Sequence, residues 1–411
     1  MLRPFLPYRE ALAWLFATQR FGIKLGLENT ERLFSALGVP EPNERIIHVA
    51  GTNGKGSVCA MLDAICRAAG YRTALFTSPH LITFRERIQV NSELISEVEV
   101  ALGLTTIREL VAAWDPHPTF FEITTALALD HFRKSGADIV ILETGLGGRL
   151  DSTNATQPIV SVLTPIDYDH QKWLGHSLTE IASEKAGIIK TRVPVVSAAQ
   201  PEEAAVVIRA RAAACEAPLE FVSRPFEQFP IALTGPHQKQ NAALAVAALG
   251  AAGIAADLAD LEQGLATVRW PARFQRWDDR TVIDGAHNPA GVRSLVRTWQ
   301  ETFGQQRATV ILATLNDKDV AGLCAALGPI MRRVLLPAIR SERALKPETL
   351  RLTINDQFPT VPSAIVSSFA EAWKGAQSYE DPILITGSLH FAGEALAHLR
   401  GEPAAFEECL Q

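Results

Sequence analysis

The sequence GTNGKGS, which begins at Gly51, carries a lysine between an apolar run and a helical apolar pattern. Glycines let backbone N–H groups approach a phosphate, Lys55 supplies a positive charge, and the N-terminus of the following helix favours an anion. The spacing differs from the common G-x-x-x-x-G-K-[ST] pattern, because only two residues separate Gly51 from Gly54. Gly56 also stands between Lys55 and Ser57, which displaces the hydroxyl that usually binds Mg²⁺. The segment predicts a nucleoside-triphosphate site whose metal takes ligands from elsewhere in the chain.

Three further polar side chains follow predicted strands, at the edge where open α/β sheets bind their ligands. Glu143 suits a hard cation, and the hydroxyl of Ser78 could reach a metal at the phosphate site. His170 could be a ligand, a base or a packed histidine, since Mg²⁺ prefers oxygen. The alternatives are a capped turn at Ser78 and a helix-capping carboxylate at Glu143. The strands are predicted at residues 75–77, 138–142 and 159–163.

A second group of polar residues comes later in the sequence, after the last of these three strands. Lys185 is on a predicted helix, where composition alone favours a solvated surface lysine. Asp284 and His287 follow a strand at residues 281–283, where Asp284 could accept from a ribose hydroxyl and His287 could face phosphates or a second substrate. Arg273 is a candidate phosphate clamp. The motif ITGSLHFAGEAL could bind an anion at a helix N-terminus, although a structural turn is an equal alternative for each of these positions.

The elements that must position these residues are apolar strands that alternate with longer helical patterns. This alternation predicts an α/β protein with a mostly parallel sheet between helices. A chain of 411 residues exceeds what one core usually holds, and the alternation restarts at residue 281. We therefore predict two domains, residues 1–279 and residues 280–411.

Composition limits the classes of function. The chain is 47% hydrophobic and 20% charged, with a net charge of −6, and no basic face suggests a nucleic-acid binder. Five cysteines, odd in number and without a C-x-x-C pair, fit a reduced cytoplasm better than a disulfide framework or a zinc site. We expect no signal peptide and no membrane span, because no apolar run approaches 18 residues.

Nine segments, taken in order along the chain, resemble the folylpolyglutamate synthase and dihydrofolate synthase family, the folate branch of the Mur-type peptide ligases. The resemblance covers roughly residues 20–400. It implies a P-loop-type sheet domain with the folate site, followed by a smaller Rossmann-like glutamate ligase domain. The segments are HVAGTNGKGSV, TSPHL with RERI, FFEITTALAL, ETGLGGRLDSTN, DHQKWLG, SEKAGIIK, RWPARFQ, DGAHNPAG and ITGSLHFAGE.

The resemblance also implies roles for individual residues. Lys55, Lys185 and His287 correspond to catalytic positions, and Lys185 corresponds to a lysine that is N-carboxylated in the family. The implied metal ligands are Ser78, Glu143 and His170. The implied ATP contacts are Asn53, Gly54, Lys55, Gly56, Ser57, Asn241, Arg273 and Asp284. The implied substrate contacts are Leu25, Gly26, Leu27, Arg87, Phe120, Phe121, Glu122, Thr124, Leu150, Asp151 and Ser152, with His287 and Ser388 at the incoming glutamate.

The activity implied by the resemblance is ATP-dependent addition of L-glutamate to dihydropteroate and to folates that already carry glutamate. The implied cofactors are ATP, two Mg²⁺ ions and a monovalent cation such as K⁺. We expect a cytoplasmic monomer that acts on small molecules and binds neither nucleic acid nor membrane. The alternatives are a folylpolyglutamate synthase without the dihydropteroate reaction, a cell-wall ligase, which would carry a further domain before the phosphate site, and a nucleotide-binding switch or motor ATPase.

Overall fold

The computed structural model describes residues 5–22, 26–40 and 44–408. The described chain forms two mostly parallel sheets with helices on their faces, which confirms the predicted α/β class. We call the part built around the first sheet the N-terminal part and the part built around the second sheet the C-terminal part. The strands of the first sheet are β1 (Arg45–Ala50), β2 (Thr73–Phe76), β3 (Ile88–Val90), β4 (Glu93–Leu94), β5 (Ile139–Glu143), β6 (Val160–Leu163), β7 (Val195–Ala198) and β8 (Leu219–Val222).

The first sheet has the strand order β4-β3-β2-β5-β1-β6-β7-β8. Its pairs are parallel except for β3, which runs antiparallel to β2 and β4. The second sheet has the order β13-β12-β11-β14-β10-β9, and only β9 pairs in the antiparallel sense. Its strands are β9 (Gln275–Arg276), β10 (Thr281–Ile283), β11 (Ala308–Leu312), β12 (Met331–Pro337), β13 (Ser363–Val366) and β14 (Ile383–Thr386).

Fifteen α-helices cover the sheets in the described part of the chain. In the N-terminal part they are α1 (Tyr8–Ala17), α2 (Glu28–Leu37), α3 (Lys55–Ala68), α4 (Glu97–Val111), α5 (Phe120–Ser135), α6 (Gln171–Leu174), α7 (Leu178–Ala186), α8 (Glu202–Ala214), α9 (Pro236–Ala251) and α10 (Leu258–Thr267). In the C-terminal part they are α11 (Pro289–Phe303), α12 (Val320–Leu327), α13 (Pro347–Gln357), α14 (Phe369–Gln377) and α15 (Leu389–Leu399). Short 3₁₀ helices lie at Thr18–Phe21, Phe84–Arg87, Ser152–Ala155 and Gly328–Ile330.

The central strands are mostly apolar because helices bury both faces of the sheet. Ile47 on β1 pairs with Ile141 on β5 and with Val160 on β6, and all three side chains are buried. One apolar cluster packs this sheet against α3, α9 and α10, and a second packs the opposite face against α1, α4 and α5. With its core filled on both sides, the sheet presents its polar residues at the carboxyl ends of the strands.

The structure contains several elements that the sequence did not predict. The helices α2, α6 and α13 and the strands β3, β4 and β9 were not predicted from the sequence. The division at residue 279 stays a prediction. Strand β9, at Gln275–Arg276, lies before that residue and pairs with β10 of the second sheet.

Among the residues that the structure describes, no helix combines the length and the apolar character needed to span a bilayer.

Candidate active site

The phosphate loop joins the end of β1 to the start of α3. Gly51 and Gly54 have φ angles of +149° and +91°, which favour glycine. A Cβ atom on Gly51 would collide with the side chain of Thr164, and one on Gly54 would lie 2.7 Å from Oδ1 of Asn241. These two glycines therefore allow the loop to pass close to its neighbours while α3 begins directly at Lys55.

Two lysines converge on this loop. The Nζ atoms of Lys55 and Lys185 both donate to the carbonyl oxygen of Gly51, at 3.2 and 2.8 Å. Lys185 is only 5% exposed, and burial together with the charge of Lys55 lowers its pKa from 10.5 to about 7. A solvated surface position for Lys185, which composition favoured, is therefore wrong. The loop has a buried, easily deprotonated amine beside the predicted phosphate site.

Helix α9 supplies the other wall of the phosphate loop. The amide of Gln238 donates to the hydroxyl of Ser57 at 3.4 Å and accepts from the side chain of Asn241 at 2.9 Å. All three side chains are buried. The side chain of Gln238 therefore joins Ser57 and Asn241, two residues that are far apart in the sequence and that were both predicted to contact ATP.

The three candidate metal ligands lie after β2, at the end of β5 and after β6, as the strand pattern predicted. Oε2 of Glu143 accepts a hydrogen bond from the backbone N–H of Ser78 at 3.1 Å. Burial raises the pKa of this carboxyl, although the charges of Lys55 and Arg273 act in the opposite direction. His170 has a φ of +51° and a side chain that is 38% exposed.

The two oxygen donors of this set, the Ser78 hydroxyl and the Glu143 carboxylate, fit a hard cation. The described residues contain no group of three or more His, Cys, Asp and Glu side chains that could hold a metal. The candidate set instead combines a hydroxyl, one carboxylate and one imidazole. The Glu143 carboxylate is 4% exposed, and a cation beside it would offset the cost of burying its charge.

A cavity of about 1200 Å³ contains most of the predicted site residues, from both parts of the chain. Leu27, Arg87, Thr124 and Glu143 are not among its lining residues, and Leu25 lies outside the described residues. The predicted positions that line it are Gly26, Asn53, Gly54, Lys55, Gly56, Ser57, Ser78, Phe120, Phe121, Glu122, Leu150, Asp151, Ser152, His170, Lys185, Asn241, Arg273, Asp284, His287 and Ser388.

Two predicted substrate contacts at one end of this cavity are engaged in local structure. The Asp151 carboxylate accepts from the backbone N–H groups of Gly145 and Leu146, both at 2.9 Å, and so holds its own loop. Glu122 accepts from the backbone N–H of Thr119 at 2.7 Å and completes the cap of α5. These bonds stabilise the loop after β5 and the start of α5, which line this end of the cavity. A ligand could therefore bond to these two carboxylates only through the lone pairs that these bonds leave unused.

The same end of the cavity has an aromatic wall from α5. Phe120 stacks on Phe16 with ring centroids 5.7 Å apart, and Phe121 packs against Phe76 at 5.8 Å. A Cβ atom on Gly145 would lie 2.5 Å from Cζ of Phe121, so the loop after β5 touches the ring directly. A flat apolar group could bind against this wall.

The C-terminal part contributes the loop after β10. Asp284 accepts from the backbone N–H groups of Phe274 and Ala286, at 2.7 and 2.8 Å, and burial raises its pKa against the charge of Arg273. Nδ1 of His287 lies 2.9 Å from the carbonyl oxygen of Gly285. Asp284 therefore braces this loop, and its carboxylate lines the cavity beside Arg273.

Asp169 connects the two parts of the chain, and the sequence analysis did not single it out. Its carboxylate accepts from Nδ2 of Asn288 at 3.0 Å and from Nζ of Lys318 at 2.9 Å, and it lies 3.4 Å from Nε2 of His287. Burial raises the pKa of Asp169, but the hydrogen bond and charge of His287 and the charges of His170 and Lys318 lower it well below its usual range. Its position beside His170 was the only local signal, and nothing in the sequence marked Lys318.

Comparison with known proteins gives the family. Residues 49–217 match the Mur ligase middle domain, and residues 272–389 match the Mur ligase glutamate ligase domain. The dihydrofolate synthase/folylpolyglutamate synthase of Bacillus subtilis is 36% identical over 96% of this chain and 100% of its own length.

Two solved structures have the same fold over nearly the whole chain. One is the folylpolyglutamate synthase of Mycobacterium tuberculosis complexed with ADP and AMPPCP, with a TM-score of 0.88, 31% identity, and coverage of 96% of this chain and 99% of that one. The other is the bifunctional folylpolyglutamate synthase/dihydrofolate synthase of Yersinia pestis complexed with AMPPNP and Mn ion, with a TM-score of 0.85, 30% identity, and coverage of 96% and 98%. The chain therefore belongs to the dihydrofolate synthase/folylpolyglutamate synthase family of Mur ligases.

Proposed function

We propose that this protein is an ATP-dependent ligase that adds L-glutamate to 7,8-dihydropteroate and extends folates with γ-linked glutamates. The observation that carries the proposal is one cavity that holds the phosphate loop, the aromatic wall of α5 and the loop after β10. A triphosphate site, a site for a flat acceptor and a site for an amino acid are the three that such a reaction requires. The names of the relatives support the same activity.

The chemistry explains why ATP is needed. An amine cannot displace oxide from a carboxylate, so a carboxylate oxygen of the acceptor first attacks the γ-phosphorus of ATP and ADP leaves. The glutamate amine then attacks the carbonyl carbon of the acyl phosphate, inorganic phosphate leaves, and the amine loses a proton to give the amide. Negative charge builds up on the phosphoryl oxygens in the first step, and the cations of Lys55 and Arg273 would stabilise it.

The metal and the modified lysine complete the proposed site. Ser78, Glu143 and His170 would hold Mg²⁺, which neutralises charge on the phosphoryl oxygens when it is bound. Lys185 would carry a carbamate, which turns a cation at the carbonyl of Gly51 into an oxygen ligand. Solved complexes of the relatives with nucleotides and with Mn support the use of a nucleotide and of a divalent metal. The carbamate, a second Mg²⁺ and a K⁺ ion stay predictions.

Asp169 would hold the two parts of the chain together around the reacting groups. Its bonds to Asn288 and Lys318 place the loops after β10 and β11 against the tip of β6. Exclusion of water protects the acyl phosphate from hydrolysis. His287, 3.4 Å from Asp169, would then face the incoming glutamate together with Ser388.

We also propose that the protein acts in the cytoplasm, which the four described cysteines support because all are free and buried. Its monomeric state stays a prediction.

The direct test measures ADP release with dihydropteroate, L-glutamate and ATP present and with each omitted in turn. We expect release only when all three are present, and release that does not change when an acceptor is omitted would refute the ligase proposal. A parallel series with a glutamate-bearing reduced folate as acceptor distinguishes the two activities. Turnover with the folate and none with dihydropteroate would reduce the function to that of a folylpolyglutamate synthase.

A further inference from the structure

A loop of the N-terminal part packs inside the core of the C-terminal part. We call residues 80–84 the crossing loop. Ile82 is buried in the same apolar cluster as Ile283 and Phe391, which belong to the second sheet and to α15. A Cβ atom on Gly393 of α15 would collide with the backbone carbonyl of Leu81. Helix α15 therefore fixes the crossing loop in place.

The end of the described chain fixes the same loop through Glu407. Its Oε2 accepts from the backbone N–H of Phe84 at 2.6 Å, and its Oε1 accepts from the Tyr8 hydroxyl at 3.1 Å. The backbone N–H of Glu407 donates to the carbonyl oxygen of Ile82 at 2.7 Å. Its carbonyl oxygen lies 3.0 Å from Nε2 of His80. One residue thus bonds to the crossing loop at three positions and to α1 at a fourth.

His80 connects Glu407 to the aromatic wall through Arg87. Nε of Arg87 donates to Nδ1 of His80 at 2.8 Å, so the histidine carries its proton on Nε2 and donates to Glu407. Both His80 and Arg87 are buried. The guanidinium carbon of Arg87 lies 5.4 Å from the ring centroid of Phe120, a cation–π contact. Glu407 is therefore linked to Phe120 through the buried side chains of His80 and Arg87.

The phosphate end of the cavity is held separately. Ser78 precedes the crossing loop, and its backbone N–H has its own bond to Glu143. The loop of Lys55 is positioned by the end of β1 and by α9, and the bonds that hold it there do not involve Glu407. A disturbance at Glu407 should therefore move the aromatic wall without moving the phosphate loop.

We propose that Glu407 is a positioning residue for the acceptor substrate, because it sets the crossing loop and, through His80 and Arg87, the place of Phe120. The inference rests on the proposed function, in which the aromatic wall binds the acceptor. It also means that the C-terminal part, whose own predicted substrate is glutamate, shapes the acceptor site in the N-terminal part.

The test is a steady-state comparison of Glu407→Gln, Tyr8→Phe and Glu402→Gln with the unaltered chain. A glutamine has one acceptor oxygen and no charge, so the Oε1 bond to Tyr8 is lost and the Tyr8 hydroxyl, 3.2 Å from Oε2, must share the oxygen that accepts from Phe84. We expect the KM for dihydropteroate to rise about tenfold in Glu407→Gln, the factor that one lost charged hydrogen bond gives when it is fully coupled to binding. Tyr8→Phe leaves the bond to Phe84 and should give a rise of about threefold. The KM values for ATP and glutamate should stay within about twofold.

Glu402→Gln is the matched control, because Glu402 is an exposed glutamate of the same C-terminal segment, and it should match the unaltered chain. A fall in kcat with all three KM values unchanged would mean a merely structural role and would overturn the inference, as would unchanged kinetics in both Glu407→Gln and Tyr8→Phe. If Glu407→Gln does not fold, the KM for dihydropteroate of Tyr8→Phe alone decides whether the inference holds. An unaltered chain that releases ADP without acceptor refutes the proposed function instead.

Discussion

Lys185 provides the sharpest test of the proposed chemistry. Its fall in pKa from 10.5 to about 7 corresponds to about 5 kcal/mol of preference for the neutral amine. At pH 7.5 about three quarters of the amine is then neutral, against about 0.1% for an ordinary lysine. Only the neutral amine attacks CO₂, with formation of an N–C bond and release of a proton. We therefore expect Lys185 to become carbamylated at neutral pH and to lose the carbamate when CO₂ is removed.

The assay follows activity after CO₂ is removed from enzyme and buffers and is then restored as bicarbonate. We expect ADP release to fall about 100-fold or more without CO₂, since an oxygen ligand is replaced by a cation beside the metal site. At a fixed concentration of dissolved CO₂, the rate of recovery should increase with pH and level off above about pH 7, because the amine is then neutral. Labelling with ¹³C-bicarbonate should give one carbamate signal, which is absent from Lys185→Ala. Short carboxylic acids should partly restore the activity of that variant.

The pH dependence of stability tests the same pKa independently. In CO₂-free buffer the unfolded lysine keeps its proton up to about pH 10.5, whereas the folded one loses it above about pH 7. The cost of burying the charge is therefore fully present below pH 7 and disappears as the pH rises. Between pH 7 and pH 9 the free energy of unfolding should rise by about 2.5 kcal/mol more than in Lys185→Met, measured with urea.

Three results would refute this account of Lys185. They are activity that does not depend on CO₂, full activity in Lys185→Ala, and the same pH dependence of stability with and without the amine. Lys239→Ala is a suitable control, because Lys239 is an exposed lysine paired with Glu227 and its loss should change none of these measurements.

Other substitutions address the metal, the contact between the two parts and the phosphate loop. Glu143→Gln should lower kcat about 100-fold and raise the Mg²⁺ concentration needed for half-maximal ADP release, because a neutral amide is a poor ligand for a hard cation; unchanged metal dependence would contradict this role. Asp169→Asn leaves the largely buried ammonium of Lys318 with only the more distant carboxylate of Asp317, 4.0 Å away, and should lower the free energy of unfolding by about 2 kcal/mol in urea titrations. A loss below about 1 kcal/mol would show that the contact is dispensable. Gly56→Ala places a Cβ 2.6 Å from Nε1 of Trp270, so the KM for ATP should rise about fivefold while the acceptor KM stays constant. An unchanged KM for ATP would show that the ring moves aside freely.

The sequence predicted the parts of the fold in which the local pattern and the tertiary environment agree. Strands β1, β5 and β6 are apolar runs because both faces of the sheet are covered, and such runs can be recognised without a structure. Parallel strands end at one edge, so the polar residues that follow them, Ser78 and Glu143, could be expected to meet there.

The missed elements lack such a pattern. Strands β4 and β9 have two residues each, too few for any alternation. Helix α2 has ten residues and follows a glycine-rich segment, which hid its apolar face of Leu33 and Phe34. Short elements such as these are held by the neighbours they pack against rather than by their own sequence.

The contacts between the N-terminal part and the C-terminal part could not be predicted from the sequence either. Asp169 and Lys318 are 149 residues apart, and their ion pair depends on how one sheet is placed against the other. Lys185 is a related case, because a lysine on a helix is ordinarily exposed, and only the packing of α7 against the phosphate loop buries it. Here the resemblance to a family supplied what composition did not.

The contact between Gly145 and the ring of Phe121 has a consequence for how related sequences diverge. A side chain at position 145 would require the ring of Phe121 to move, because even a methyl group would lie 2.5 Å from Cζ. We therefore expect positions 145 and 121 to vary in a correlated way among homologues. A residue larger than glycine at position 145 should occur together with a residue smaller than phenylalanine at position 121. Such correlated substitutions would change the space beside the aromatic wall among family members without altering the phosphate loop.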